Sequence, residues 1–263
     1  MTIAIAIPAR YASTRFPGKP LAKIGGISML ERVTRVAKEA ASGIKDIRFF
    51  VTTEDERIAA HAGEIGVECV MTSESCPTGS DRVHEALEQL EDKPDFVINL
   101  QGDAPFTPVS VVRAMIKTFR DNPEAEVITP VHRLSWHDLD RLREAKKTTP
   151  FSGTTAILGK DNRALWFSKN IIPGIRKEES LRAESDISPV YQHMGLYGFR
   201  VDVLAKFCAL PQGVYEQLEG LEQLRMLENG ITVTAVPVEI EKGKMQSGID
   251  TPEDLARAEK LLE

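Results

Sequence analysis

The first half of the chain alternates short apolar runs with stretches whose apolar residues recur at helical spacing. The helical pattern is clearest at Met29, Leu30, Val33, Val36 and Ala37. The apolar runs predict strands over Thr2–Ile7, Ile47–Val51, Glu68–Met71, Asp95–Leu100 and Glu126–Pro130. The helices predicted between them cover Ser28–Ala41, Asp55–Ile65, Ser80–Leu90 and Val109–Phe119. This alternation favours right-handed βαβ crossovers and a parallel sheet that helices cover on both faces.

The alternation stops after residue 131. Beyond it the pattern predicts strands over Thr154–Leu158, Ala164–Phe167, Tyr191–Phe199 and Ile231–Val236, and helices over Val201–Ala209 and Glu216–Leu227. The segment Ile172–Pro189 shows no clear period. A last helix is predicted to begin with Thr251 as N-cap, Pro252 at N1 and Asp254 at N3. We therefore expect an α/β fold with a Rossmann-like, mostly parallel sheet, in which 1–130 and 213–263 form a nucleotide-binding core and 131–212 a β-rich insert.

Composition and charge exclude several classes of protein. The 263 residues are 42% hydrophobic, which is enough for a packed core. Since 33 basic and 39 acidic residues leave a net charge of −6, binding to nucleic acid is disfavoured. No run reaches the roughly 18 apolar residues of a membrane span, and the first residues are not typical of a signal peptide. The three cysteines fit no CxxC pattern, which is typical of reduced thiols, so we expect a cytoplasmic protein without membrane insertion.

The loop after the first strand, Pro8–Pro20, reverses the overall sign of charge because it carries cations and no acid. Its cations are Arg10, Arg15 and Lys19, and its small donors are Ser13, Thr14 and Gly18. Such a loop can surround an oligophosphate, although a solvated basic loop is the alternative. It matches neither GxxxxGK[ST] nor GxGxxG, which disfavours a P-loop NTPase and an NAD-type dehydrogenase.

Two aspartates lie at positions in the sequence that are suited to binding a cation. Asp103 follows Gln101 and Gly102 at the end of a predicted strand, and Asp250 precedes the last predicted helix. In an open parallel sheet, ligands bind beyond the carboxyl ends of the strands. The two carboxylates together could hold Mg²⁺ on phosphate oxygens, whereas each alone could equally be a turn or helix-entry residue.

Six stretches of the chain carry a resemblance to a known family. They are IPARYASTRFPGKPL near the N-terminus, TGSDRV at Thr78–Val83, NLQGDAP at Asn99–Pro105, HMGLYGF at His193–Phe199, LEQLRML at Leu221–Leu227 and GIDTPEDL at Gly248–Leu255. Over essentially its whole length the chain resembles the sugar-activating cytidylyltransferases, in particular the CMP-Kdo synthetase (3-deoxy-manno-octulosonate cytidylyltransferase) family. The resemblance implies a fold of the nucleotide-diphospho-sugar transferase type and a homodimer in which the insert contributes to dimerisation and sugar-acid binding.

The resemblance also implies a reaction and a set of site residues. The anomeric hydroxyl of Kdo, a 3-deoxy-2-keto sugar acid, attacks the α-phosphorus of CTP, and pyrophosphate leaves; the CMP-sugar serves lipopolysaccharide synthesis. The nucleotide-binding residues implied are Ala9, Arg10, Ser13, Arg15, Lys19, Thr78, Gly79, Ser80, Arg82 and Gln101. The sugar-binding residues implied are Gln101, His193, Tyr197, Glu222 and Gln223. The metal carboxylates implied are Asp103 and Asp250, which with Arg10 and Lys19 form the expected catalytic set.

Departures from the family's pattern leave the acceptor open. The family usually reads QGDEP, whereas Ala104 follows Asp103 here. Thr155 stands about where the family has a lysine, and Lys169 where arginine is common. We therefore expect CTP as the nucleotide, with Kdo or a close analogue such as an 8-amino Kdo as acceptor. The alternatives are a CMP-synthetase for a sialic-acid-like nonulosonate, and a nucleotide-binding protein with little activity.

Overall fold

A ten-stranded sheet runs through the centre of the protein, and a two-stranded hairpin lies beside it. The computed structural model describes residues 1–12, 16–240, 249 and 251–259. The strands are β1 (Ile3–Pro8), β2 (Lys23–Ile24), β3 (Ile27–Ser28), β4 (Ile47–Thr53), β5 (Cys69–Met71), β6 (Phe96–Asn99), β7 (Val127–Ser135), β8 (Thr154–Leu158), β9 (Ala164–Ser168), β10 (Ile187–His193), β11 (Tyr197–Arg200) and β12 (Val233–Pro237). The helices are α1 (Met29–Ala41), α2 (Glu56–Glu64), α3 (Gly79–Glu88), α4 (Val109–Asp121), α5 (Trp136–Ala145), α6 (Glu178–Glu184), α7 (Val201–Cys208), α8 (Val214–Glu219), α9 (Glu222–Glu228) and α10 (Pro252–Glu259).

The strand order is β5-β4-β1-β6-β11-β7-β10-β8-β9, with β12 also paired to β7. Strands β5, β4, β1 and β6 are parallel, and β7, β8 and β12 run in the same direction. Strands β9, β10 and β11 run the opposite way. The predicted α/β class with a mostly parallel sheet is therefore confirmed.

Two apolar layers sandwich the sheet, as the alternation of side chains along β1 shows. Ile3, Ile5 and Ile7 face one layer, which α1, α2 and α4 complete, whereas Ala4 and Ala6 face α3, α7 and α9. All five side chains are buried. Each buried isoleucine stabilises the fold by about 1.5–3 kcal/mol relative to an exposed one, which anchors β1 at the centre of the sheet.

The predicted strand Tyr191–Phe199 is interrupted at Gly195, which adopts a left-handed backbone conformation with φ of +67°. The result is two strands, both antiparallel to β7: β10 pairs with its second half and β11 with its first half. Because the chain shifts sideways between them, β11 also pairs with β6 and closes the gap between β6 and β7. The interruption therefore joins the predicted insert to the core sheet.

Other differences from the predicted elements have local causes. The predicted helix Glu216–Leu227 is two helices, α8 and α9, because Gly220 is left-handed at φ +63°. The sequence pattern missed α5 and α6, and α6 buries no residue, so it has no apolar face that periodicity could reveal. Strand β7 extends beyond the predicted end at Pro130 to Ser135. Thr251 does cap the last helix, since its Oγ1 accepts from the Asp254 N–H at 3.2 Å.

The sheet continues through the boundary of the predicted insert. Strands β8, β9 and β10 extend the sheet at one side, and β11 lies inside it. The functional division into a core and an insert stays a prediction. Within the described ranges, none of the helices has the length and the apolar character needed to cross a membrane.

A substitution at Gly198 on β11 can test how tightly α4 packs on the sheet. A β-carbon there would lie 2.6 Å from the Phe119 ring and 3.0 Å from Ile128. We expect Gly198→Ala to lower the free energy of unfolding by about 1–3 kcal/mol, because the core must shift to admit the methyl group. Urea denaturation monitored by circular dichroism measures this change.

The matched control is Gly63→Ala, because a β-carbon at Gly63 in α2 meets no atom of the described residues within 4 Å. Alanine is the better helix former, so this variant should be as stable as the parent protein or more stable by up to about 1 kcal/mol. Equal stability of the two variants would contradict the close contact between β11 and α4.

Candidate active site

The loops that follow β1 and β6 meet at the carboxyl edge of the sheet. The Gly102 N–H donates to the Pro8 carbonyl at 3.3 Å. A β-carbon on Gly102 would lie 2.7 Å from that carbonyl oxygen, so a side chain does not fit there. Because the two parallel strands are neighbours, this contact brings Gln101 and Asp103 against Ala9 and the start of the basic loop.

A charged pair links the basic loop to the acid after β6. The Lys19 Nζ atom lies 2.7 Å from the Asp103 carboxylate, and the two side chains are 12% and 35% exposed. Lys19 begins a short 3-10 helix that follows the left-handed Gly18. The predicted proximity of these two loops is therefore present, and Asp103 already holds a cationic group.

The N-terminus of α3 forms a second wall beside these loops. Thr78 caps the helix through a reciprocal pair of interactions with Asp81. A β-carbon at Gly79 would lie 3.5 Å from the Gln101 side-chain oxygen. The Arg10 guanidinium donates weakly to the Pro77 carbonyl at 3.5 Å. Helix N–H groups and a guanidinium thus converge where an anion would be stabilised.

Arg82 is one of the nucleotide-binding residues implied by the resemblance, and that role stays a prediction. Its side chain is 1% exposed, lies 3.0 Å from the Glu54 carboxylate and donates to the Thr72 hydroxyl at 2.6 Å. Burial of a guanidinium requires such compensation. Arg82 on α3 therefore contacts the residues that follow β4 and β5, and its guanidinium is buried.

His193, Tyr197 and Gln223 form a buried polar group in the second half of the chain. The Tyr197 hydroxyl donates to the Gln223 side-chain oxygen at 2.7 Å. The His193 Nε2 atom lies 2.7 Å from the Thr129 hydroxyl, which donates its proton to the Leu196 carbonyl. This network assigns the ring proton of His193 to Nε2, since the hydroxyl can then only accept.

The buried histidine is uncharged. Burial, with a smaller contribution from the nearby Lys169 ammonium, lowers the pKa of His193 to about 3. The ring also packs edge-on against Phe167, with centroids 5.1 Å apart. His193 therefore provides a neutral hydrogen-bonding surface at physiological pH, and it does not act as an acid.

Glu222 connects the two halves of the candidate site. Its carboxylate at the start of α9 lies 3.3 Å from the Ser80 hydroxyl in the first turn of α3. Burial raises the pKa of Glu222 to about 7, although the Ser80 hydroxyl and Arg225 oppose this shift. The carboxyl group can thus hold or release a proton near neutral pH.

Some predicted residues lie outside the described part of the chain, namely Ser13, Arg15 and Asp250. The neighbouring Ile249 is described, and its N–H donates to the Asp103 carbonyl at 3.0 Å. Among the residues that the structure describes, no group of three or more His, Cys, Asp or Glu side chains could hold a metal ion. Asp103 is thus the described member of the predicted pair of metal carboxylates.

Sequence reasoning missed three residues at the site. Glu54 follows β4, and the rule that ligands bind at carboxyl strand ends could have identified it. Thr129 holds His193, and its position within a buried strand carries no sequence signal of that role. The sequence shows Lys169 only as a departure from the family's pattern. Burial lowers the pKa of the Lys169 ammonium. The positive charge of Lys169 in turn lowers the pKa of His193.

The mostly parallel sheet, with a basic loop after β1 that is paired to an acid after β6, defines an α/β nucleotidyltransferase. Residues 4–240 match the model of the cytidylyltransferase family. The chain belongs to this family and, by full-length similarity, to its 3-deoxy-manno-octulosonate cytidylyltransferases.

The relatives support this assignment over the whole chain. The 3-deoxy-manno-octulosonate cytidylyltransferase of Maricaulis maris is 42% identical over 262 residues, which cover 100% of this chain and 97% of the relative. That of Phocaeicola vulgatus is 42% identical over 97% of this chain and 95% of the relative. The solved structure of CMP:2-keto-3-deoxy-manno-octonic acid synthetase in complex with CTP aligns with a TM-score of 0.83 at 32% identity, covering 100% of this chain and 98% of the other.

The raised pKa of Glu222 predicts a pH-dependent stability. In the unfolded chain a glutamate loses its proton near pH 4.3, whereas in the native protein Glu222 keeps its proton up to a pH of about 7. The unfolded state therefore binds fewer protons within this window, and stability falls as pH rises through it. We expect the parent protein to lose about 1–3 kcal/mol relative to Glu222→Gln between about pH 5 and pH 8.

Urea denaturation of both proteins at several pH values measures this difference. Glu74→Gln is the matched control, because Glu74 is exposed and lies outside the site. A constant stability difference between the parent protein and Glu222→Gln across the whole pH range would contradict the protonated, partly buried carboxyl group.

Proposed function

We propose that this protein transfers the CMP group of CTP to the anomeric hydroxyl of Kdo or a close analogue. The sugar oxygen forms a bond to the α-phosphorus, the bond from that phosphorus to pyrophosphate breaks, and the hydroxyl proton passes to solvent. The observation that carries this proposal is the Lys19–Asp103 pair at the carboxyl edge of the sheet. Membership of the 3-deoxy-manno-octulosonate cytidylyltransferases supports the choice of substrates.

The phosphate side of the site provides charge stabilisation. Lys19 and Arg10 lie on the loop after β1, and α3 presents its N-terminus beside them. Nucleotidyl transfer depends mainly on positioning and on neutralising charge at the phosphate oxygens. Lys19 and Arg10 would therefore hold the triphosphate, and Gln101 would lie where the nucleotide and the sugar meet.

We propose Mg²⁺ as the cofactor, held by Asp103 together with Asp250 and phosphate oxygens. The residues fit a magnesium ion because the Asp103 carboxylate is a hard oxygen donor, and it already binds the Lys19 ammonium at 2.7 Å. When bound, the ion would neutralise charge on the phosphates and polarise the α-phosphorus.

The sugar side is a wall of neutral polar groups. Tyr197, Gln223 and His193 are buried and held by hydrogen bonds, so their geometry is set before the sugar arrives. The Gln223 amide nitrogen makes no hydrogen bond within the described residues, so it can donate to an acceptor oxygen of the sugar acid. The partly buried Lys169 adds a positive charge near His193, which suits an acidic sugar.

The departure at Thr155 has a structural explanation in this chain. Its hydroxyl donates to the Asn170 carbonyl at 2.7 Å and accepts from the Ile172 N–H at 3.1 Å. Thr155 therefore ties β8 to the segment after β9. A substrate panel of Kdo, an amino-substituted Kdo and a sialic-acid-like acid measures the acceptor preference.

We expect the purified protein to release pyrophosphate from CTP in the presence of Mg²⁺ and Kdo. Asp103→Asn should lower kcat/KM on the order of 100-fold, because it removes a charge that would bind the metal and face the phosphates.

Lys19→Ala should weaken CTP binding about tenfold or more, because it removes a positive charge that would contact the triphosphate. A coupled pyrophosphate assay and calorimetry measure these effects.

Lys23→Ala is the matched control, since Lys23 is exposed and lies four positions after Lys19. This variant should bind CTP as the parent protein does. Unchanged CTP affinity in Lys19→Ala would contradict the phosphate-binding loop. Transfer to another sugar acid but not to Kdo would instead identify a different acceptor within the same reaction.

We also propose that the protein is a cytoplasmic homodimer. Exposed apolar side chains cluster near β9, the last strand of the sheet order, and α8, and the two elements are in contact through Trp166 and Tyr215. The exposed apolar residues there are Leu165 at 53%, Val214 at 67%, Tyr215 at 49% and Leu218 at 72%. Such a patch is typical of a surface that associates with another protein chain.

Light scattering should therefore give a dimer mass at micromolar concentration for the parent protein. Leu218→Lys should shift the mass toward the monomer, because it places a charge in the patch. Phe151→Lys is the matched control, since Phe151 is 71% exposed and lies in the turn before β8, on neither β9 nor α8. A monomer mass for the parent protein would contradict the homodimer.

A further inference from the structure

Glu54 is a partly buried acid that directly follows β4, at the carboxyl edge of the sheet. Its side chain is 10% exposed. One carboxylate oxygen accepts from the Tyr11 N–H at 3.1 Å, and the other lies 3.0 Å from the Arg82 guanidinium. A single carboxylate thus contacts both the basic loop after β1 and helix α3.

Tyr11 closes the basic loop. Its carbonyl accepts from the Gly18 N–H at 2.9 Å, so an early and a late residue of the loop Pro8–Pro20 meet there. The Arg57 guanidinium lies 3.3 Å from the centre of the Tyr11 ring. Gly18 also lies close to this ring, since a β-carbon on Gly18 would be 3.1 Å from it. Lys19 comes directly after Gly18. The orientation of the Lys19 side chain toward Asp103 therefore depends on the position of Tyr11.

The second contact of Glu54 is with Arg82, which belongs to the opposite wall of the site. It lies on α3, about one turn after the N-cap Thr78, and it also donates to the Thr72 hydroxyl beside β5. The buried guanidinium needs a negative partner, and Glu54 is the acid in contact with it. Glu54 therefore sets the distance between the loop that carries Lys19 and the first turn of α3.

We infer that Glu54 is a positioning residue for CTP. It holds the Tyr11 amide and the Arg82 guanidinium, and through them it orients Lys19 and the N-terminus of α3 toward the triphosphate. Glu54 itself acts through these two residues and does not touch the substrate. The inference rests on the proposed function, because it assigns the phosphates to these two walls.

The first experiment measures hydrogen exchange at the Tyr11 amide by NMR, without any ligand. In Glu54→Ala this amide loses its acceptor, so its exchange should accelerate about fivefold to tenfold. Glu54→Gln keeps an acceptor oxygen of similar reach and should restore most of the protection. Glu56→Gln, an exposed position two residues further on, is the control and should leave exchange unchanged. Unchanged exchange in Glu54→Ala would overturn the inference.

The second experiment separates positioning from a general loss of stability. Variants are compared at a temperature at which circular dichroism shows each of them fully folded. Glu54→Ala should raise the KM for CTP about tenfold, while the KM for the sugar acid changes less than about twofold. Parallel increases in both KM values, or a loss confined to kcat, would overturn the inference.

A double-mutant cycle with Lys19 provides the decisive comparison. If Glu54 acts through the loop that carries Lys19, Glu54→Ala should weaken CTP binding far less in the Lys19→Ala background than in the parent protein. Fully additive effects would contradict this route. If the parent protein binds CTP but transfers CMP to no sugar acid, the proposed function fails, while the exchange and binding measurements still decide the role of Glu54.

Discussion

The attraction between Lys19 and Asp103, 2.7 Å apart, is the interaction on which the rest of the site depends. It connects the loops of two neighbouring parallel strands, which must end at the same edge of the sheet. The close contact of Gly102 with Pro8 lets these loops approach each other. On a chain of net charge −6, this edge concentrates positive groups where a triphosphate would lie.

Buried neutral side chains are concentrated on one side of the candidate site, where Lys169 is the charged neighbour of His193. The phosphate side carries partly exposed charged groups, whereas His193, Tyr197 and Gln223 on the other side are buried and uncharged. Flexible cations can follow the shape of a phosphate chain, while a hydrogen-bonded neutral wall keeps one geometry. Glu222 lies at the border of the two halves, and its contact with Ser80 joins them.

The elements of the first half could be predicted closely because their signals are local. The strand expected over Ile47–Val51 is observed as Ile47–Thr53, for example. Three of the differences from the predicted elements come from a single backbone conformation or a missing apolar face. Left-handed Gly195 divides a predicted strand, left-handed Gly220 divides a predicted helix, and α6 buries nothing that periodicity could detect.

The sequence by itself determined the order of most elements, the basic loop after β1 and the resemblance to a family, because residue type and spacing are local properties. Only the tertiary structure decided which side chains meet. Arg82 lies within a stretch that resembles a nucleotide site, yet its guanidinium is buried against Glu54. Contacts between residues far apart in the chain depend on the order of strands in the sheet, and no local pattern of residues encodes that order.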